Sequence, residues 1–427
     1  MALACLMLAA VADVRAQGSR HRSVGCGNCI GGAACSECED QCSGPCGCYC
    51  GGLVTPAGGC ASGSEMVWVR ADYLLWRRSG AALPAVATAS ATTVPEDLAA
   101  VLGQPTTDVL AGGQTVGDGW RGGFALELGF WLDPLSGWAV AGDFLYSGRD
   151  SYGLTVGPEG DRSLGRPFYN VQTAMQDAAL INFPPESTGR ISVAAFDDFH
   201  SAGVAMRKCL WHDGTACTDG GAARVTGLAG YRFYNHDSLV FVGTSRQENA
   251  GPSPPVGTRS YEFDKFAGRS EFHGFELGVT GRLQRCRWWG EGSAALALGA
   301  SRRIVFVEGQ TVNVFPSNNV AVAQGALLTG GETNFGRYVD QHGAAIPRFR
   351  LGGGWQATER IGLHMGYNVI IWNGVVQAAD HLPSGLAVDV RNLPGGGGGG
   401  GAEPAFPGLR SSTLVAHGLD FGLEVWF

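Results

Sequence analysis

Apolar and polar residues alternate along much of this chain, and the alternation continues to its last residue. In Leu419–Phe427, residues Leu419, Phe421, Leu423, Val425 and Phe427 fall at every second position, with Asp420, Gly422, Glu424 and Trp426 between them. On a strand, that period sends one set to an apolar face and the other to the opposite face. The same period places Val67, Val69, Ala71, Tyr73 and Leu75 against Trp68, Arg70, Asp72, Leu74 and Trp76. It also places Phe124, Leu126, Leu128 and Phe130 against Ala125, Glu127 and Gly129, and then Trp138, Val140, Gly142, Phe144 and Tyr146 against Ala139, Ala141, Asp143 and Leu145. Further alternating stretches lie near 199–208, 222–234, 238–246, 258–267, 271–284, 288–300, 346–357, 361–372 and 413–427, which makes about twelve strands. Asp133–Gly137, Asn235–Asp237 and Ala357–Arg360 read as short turns, and 79–119, 150–197, 304–345 and 373–411 as long loops. Short turns at one end and long loops at the other are the asymmetry of an outer-membrane barrel. The expected fold is all-β, a transmembrane antiparallel up-and-down β-barrel over residues 65–427.

Charge falls on the face opposite the apolar set: Arg70, Asp72, Glu127, Asp143, Glu276, Arg282, Arg348, Arg350 and Glu424. A basic residue at mid-bilayer costs about 2–4 kcal/mol, so these side chains are expected to face the lumen. Both signs occur, which suits a narrow salt-bridged lumen better than a one-sign selectivity ring. Trp68, Trp76, Trp131, Trp138, Trp289, Trp355, Trp372 and Trp426 lie near strand ends and are expected as interfacial aromatic girdles. The last strand should pair with the strand at 66–77. Its apolar set Phe421, Leu423, Val425 and Phe427 has the form of an assembly signal, implying outer-membrane lipid and the barrel-assembly machinery as partners.

Composition agrees. Of 427 residues only 16% are charged, 45% are hydrophobic and 68 are Gly, yet no run of 18 apolar residues could span as a helix. The net charge of −8 gives no footprint for nucleic acid. Residues 1–16 carry an apolar core and Val14-Arg15-Ala16, and read as a signal peptide cleaved after Ala16. A Cys/Gly-rich segment, 17–64, follows on what is expected to be the periplasmic side. It holds Cys26, Cys29, Cys35, Cys38, Cys42, Cys46, Cys48, Cys50 and Cys60, nine of the 13 cysteines. Export to an oxidising compartment favours disulfides there over zinc, despite two C-x-x-C pairs. Cys209 and Cys217 flank a turn-like stretch that a disulfide would staple, which leaves Cys286 unassigned.

Five segments resemble the BBP family of outer-membrane β-barrel proteins of planctomycete type. They are Trp68-Val-Arg-Ala-Asp-Tyr-Leu-Leu-Trp76, Arg121–Asp133, Phe272-His-Gly-Phe-Glu-Leu-Gly278, Gly366–Val375 with Asp380 beyond, and His417–Glu424. The resemblance runs over most of 65–427 but not over the cysteine segment. It implies a fold and a location rather than a reaction.

No catalytic, cofactor or metal residue is expected. His364 and Asn368 share a strand face, with His200 and His273 on other strands, but no G-x-S-x-G nucleophile motif accompanies them. Asp197-Asp198 and His212-Asp213 read as solvated surface. The expected role is structural or surface-interacting. The alternatives are a porin-like channel for small solutes and, from a different class, a soluble secreted β-sandwich or adhesin.

Overall fold

The computed structural model describes residues 66–133, 137–158, 162–214, 221–251, 254–394 and 400–427. The signal peptide, the cysteine segment through Cys60, Cys217, the centre of the Asp133–Gly137 turn and most of the Gly395–Gly401 run lie outside the described residues. A twelve-stranded antiparallel sheet dominates the fold. Ten of its strands pair on both sides and close the ring: β1 (Val67–Arg78), β2 (Arg121–Asp133), β3 (Trp138–Tyr146), β4 (Ser187–Gly214), β5 (Ala222–Glu248), β6 (Arg259–Arg285), β7 (Trp288–Val314), β8 (Gly336–Gln356), β9 (Ile361–Val375) and β10 (Ser412–Trp426). Each neighbours the next in sequence, and β10 returns to β1 in a register running from Trp68↔Trp426 to Arg78↔Ala416. Closure matters because lipid offers the backbone no hydrogen bonds. The other two strands sit at the long-loop rim, Asp150–Val156 on β4 and Val320–Gln324 on β7.

The twelve strands of the sheet are not the twelve stretches of alternation. Ala222–Glu248 is one strand through Asn235–Asp237, and Arg259–Arg285 is one strand through 268–270. Strands β4, β6 and β7 likewise run far into the expected loops. At about 3.4 Å per residue, 27 residues reach about 90 Å, whereas a bilayer needs only about 9–11. The register shows where the strands leave lipid. One outward row reads Ala202, Phe233, His273, Ala300, and the next reads His200, Asn235, Glu271, Arg302, Gln341. Asn235 and Asp237 are therefore polar because they stand above the apolar band, and not because the chain turns there.

The girdle also differs from the expected one. Trp76 and Trp372 are 0% exposed inside the ring, with Trp68 and Trp289 nearly so. Trp68 lies across its cross-strand neighbour Gly129, where a Cβ would stand 2.0 Å from the indole. The polar edge of the band is marked instead by two exposed pairs, Tyr231 Oη with His273 Nδ1 at 2.5 Å and Tyr367 Oη with His417 Nδ1 at 2.6 Å. At the turn end, Trp138, Trp288 and Phe427 are exposed.

The long loops are folded. Ala87–Ala91, Asp108–Ala111, Arg162–Asn170, Met175–Asn182 and Ala387–Val388 form a five-stranded sheet, and Ala81–Leu83 pairs with Gln114–Val116. Leu83, Val86, Leu164, Phe168, Leu386 and Val388 of this cap pack on Ile191, Val193, Val242, Phe266 and Val305 of the ring strands. Parts of the stretch 79–119, which lacks a sequence period, thus belong to a buried core: Ala81, Leu83, Val86, Ala87, Ala89 and Ala111.

Candidate functional site in the lumen

Alternation gives each ring strand an inward row, and near the turn end that row is charged. The charges line a cavity of about 210 Å3 bounded below by Trp68, Trp131 and Trp426. On one wall, Arg70 Nε lies 3.0 Å from Asp72, and its Nη1 reaches 3.4 Å across the ring to Glu291 of β7. Arg350 donates to Glu291 at 2.9 Å and to Asp420 at 2.7 Å, and Asn368 Nδ2 donates to Asp420 at 2.6 Å. On the other wall, Arg207 forks onto Glu127 at 2.9 and 2.6 Å, and Trp68 Nε1 donates to the same carboxylate at 2.9 Å. Arg232 holds Asp143 and Glu276, and Arg348 holds Glu276 at 3.1 Å. Arg282 reaches Glu424 at 3.3 Å and lies 4.1 Å over the Trp289 ring. Buried charges persist only where partners and hydrogen bonds offset their desolvation, and these do.

All nine charges expected in the lumen lie in this network or line its cavity. The alternation also carries four partners that sequence reasoning left out: Glu291, Arg207, Arg224 and Arg232. Each falls on the inward period of its strand, but no motif marks it. His364 Nε2 bonds the Asp72 carboxylate, and Asp72, His364 and Asp420 bring one donor atom each within 4.8 Å of one another. Arg70 and Arg350 already place positive charge on those two carboxylates, where a cation would sit. His200 and His273 are apart from this group, facing out at the edge of the band. Asp197 and Asp198 are not solvated surface: each is 8% exposed on a strand, Asp197 bound by Arg78 and Arg121 and Asp198 by Arg149. Phe421, Leu423 and Phe427 face outward on β10, opposite Glu424. Cys209 and Cys286 each take part in a disulfide, and both lie near the turn end.

Directly above the charges, the inward row turns apolar on every ring strand. Leu74 and Trp76 come from β1, Phe199, Tyr234, Phe272, Ala297 and Ile346 from β4 to β8, Ile370 and Trp372 from β9, and Leu414 and Ala416 from β10. Ala125 of β2 and Leu145 of β3 complete the layer. Tyr234 and Trp372 stand four strands apart on the ring, yet their ring centroids are 6.1 Å apart. Phe272 meets the same indole at 6.4 Å. The layer therefore meets itself across the lumen. Above it lies the cap core.

A family model described as "Putative beta barrel porin-7 (BBP7)" matches residues 68–427. The chain belongs to that family. No curated protein matches this BBP7 chain. Among solved structures it is similar to the outer membrane protease OmpT from Escherichia coli, at 7% identity and a TM-score of 0.37, covering 85% of this chain and 97% of that one. It is also similar to the P. putida toluene transporter TodX, at 8% identity and a TM-score of 0.19, covering 84% and 89%. A Pseudomonas aeruginosa FadL homologue matches at 10% identity and a TM-score of 0.20, covering 85% and 90%.

Proposed function

We propose that this BBP7 protein is a closed, non-catalytic barrel of the bacterial outer membrane whose folded cap is the surface it presents outside. In this reading the signal peptide is removed. The cysteine segment stays on the periplasmic side, because Met66 N bonds Phe427 O at the turn end of the ring. The contact of Tyr234 with Trp372 carries the proposal: two residues from opposite walls meet within an apolar layer drawn from all ten strands. Hydrated ions do not cross such a layer, since a hydrophobic constriction gates by dewetting. Purified protein in planar bilayers should leave conductance at the lipid baseline. Steady ion-conducting steps from the unmodified chain would overturn the closed reading and favour the porin-like one, which the charged cavity at the turn end supports.

A further inference from the structure

We propose that the outer wall of the barrel, high above the lipid band, carries a binding site for an acidic saccharide. The site lies on the upper parts of β4 to β7, where two outward rows cross four strands. One reads Ser192, Gly243, Phe263, Gln310, and the row above it reads Arg190, Ser245, Tyr261, Val312. Together with Phe241, and with Thr244 and Glu262 of the inward period, they line a depression of about 340 Å3. Glycine makes the depression. With no side chain at 243, the Phe241 ring lies over that position, where a Cβ would stand 2.8 Å from it. Phe241 and Phe263 rings are 5.9 Å apart and within 21° of parallel, and Tyr261 is 48% exposed beside them. Three aromatic side chains on a water-facing wall, ten residues above the edge of the apolar band, have no lipid to cover them.

The chemistry around the rings selects the ligand class. The C–H face of a pyranose packs on aromatic rings, while its hydroxyls need donors and acceptors at the rim. Ser192, Ser245 and Gln310 supply these. Charge complementarity narrows the class to acidic sugars. Arg190 is exposed on this rim and makes no ion pair among the described residues, and Arg259, one row higher, bonds only the neutral Gln247 side chain at 3.2 Å. A guanidinium fork matches a carboxylate in two hydrogen bonds, as a uronate presents it. Below the site, Lys265 is already held by Glu308 at 2.8 Å, so the free positive charge lies on the arginine side.

The inference rests on the proposed outward orientation for its biological sense, but its test does not. Detergent-solubilised full-length protein is titrated with tetragalacturonate by calorimetry, with the uncharged cellotetraose as control. Saturable tetragalacturonate binding that exceeds cellotetraose binding is expected. Arg190→Gln should weaken it by about tenfold, the value of one charge-assisted bidentate contact. Phe241→Ala and Phe263→Ala should weaken both sugars, while retained heat-modifiable gel mobility reports an intact barrel. Equal binding of the two sugars, or binding untouched by Arg190→Gln, would overturn the acidic assignment. No binding of either would overturn the site while leaving the closed-barrel reading untouched.

Discussion

Asp264 is fully enclosed in the wall of β6, and its carboxylate gathers three cap groups: Arg166 Nη2 at 2.5 Å, Leu328 N at 3.1 Å and Thr329 Oγ1 at 2.6 Å. Removing one partner of a buried pair strands the other charge, at a cost of about 3–5 kcal/mol. Asp264→Ala should therefore unlatch the cap, read as new proteolytic cuts in 162–182 or 326–330 with heat-modifiable mobility retained. Replacing both partners, with Arg166→Met and Asp264→Leu, should recover most of the protection. Acid should loosen another part of the cap. His381 has its pKa pushed down by burial first, with Arg410 and Arg303 adding to the effect. Such a group binds fewer protons folded than unfolded, so its contribution is lost as pH falls below the ordinary value of about 6.5. Asp389 accepts from Arg391, Gly401 N and Gln172. Its Arg391 hydrogen bonds hold the carboxyl well below the usual carboxylate range. Its contribution is present above about pH 4 and is lost below that. Hydrogen-exchange protection factors in 376–394, which divide out the intrinsic slowing of amide exchange in acid, should therefore fall in two stages on acidification, and a flat profile from pH 7 to about pH 3 would contradict both assignments.

At the scale of the element, the ring strands were legible wherever lipid faced one side. Period-two alternation located β1, β2, β3, β9 and β10 almost to their ends and named nine charges of the inward rows, though not Arg207, Arg224, Arg232 or Glu291. It misled where strands left lipid, because an outward row such as His200, Asn235, Glu271, Arg302 has polar residues on both faces and reads like a turn. The cap escaped for a different reason. Its short strands are buried in small residues such as Ala85, Ala87 and Ala89, so no amphipathic period exists to be seen. The position of the lipid boundary on β6 has a direct test. Leu277 lies within the band and Ala267 above it, both on the outward row. Leu277→Arg should lower folding stability in vesicles by about 2–4 kcal/mol, whereas Ala267→Arg should cost about 0–1 kcal/mol. Equal costs would place the boundary wrongly. The closing strand carries a kinetic counterpart. Phe427→Asp puts charge on the outward row of β10, and a reduced yield of heat-modifiable barrel in the outer membrane is the expected result.

For the whole molecule, two seals stand in series along one lumen: the apolar layer around Trp76, Tyr234 and Trp372, and the cap core above it. Their order makes a prediction that neither seal makes alone. Truncating the layer with Tyr234→Ala and Trp372→Ala opens space at its centre, at a cost of about 3–5 kcal/mol per aromatic side chain. The cap still closes the far end, so the double variant should remain silent in planar bilayers. Shortening the cap segments 79–120, 162–182, 326–330 and 376–411 leaves the layer intact and should also be silent. Only the combined variant joins the charged cavity to the outside. It should conduct with little preference between cations and anions, because the lining holds arginines and carboxylates in matched pairs. Conductance from the cap-shortened protein alone would show that the aromatic layer is not a barrier, and the closed reading would then rest on the cap by itself. Strong selectivity from the combined variant would show that the ion pairs break once water enters.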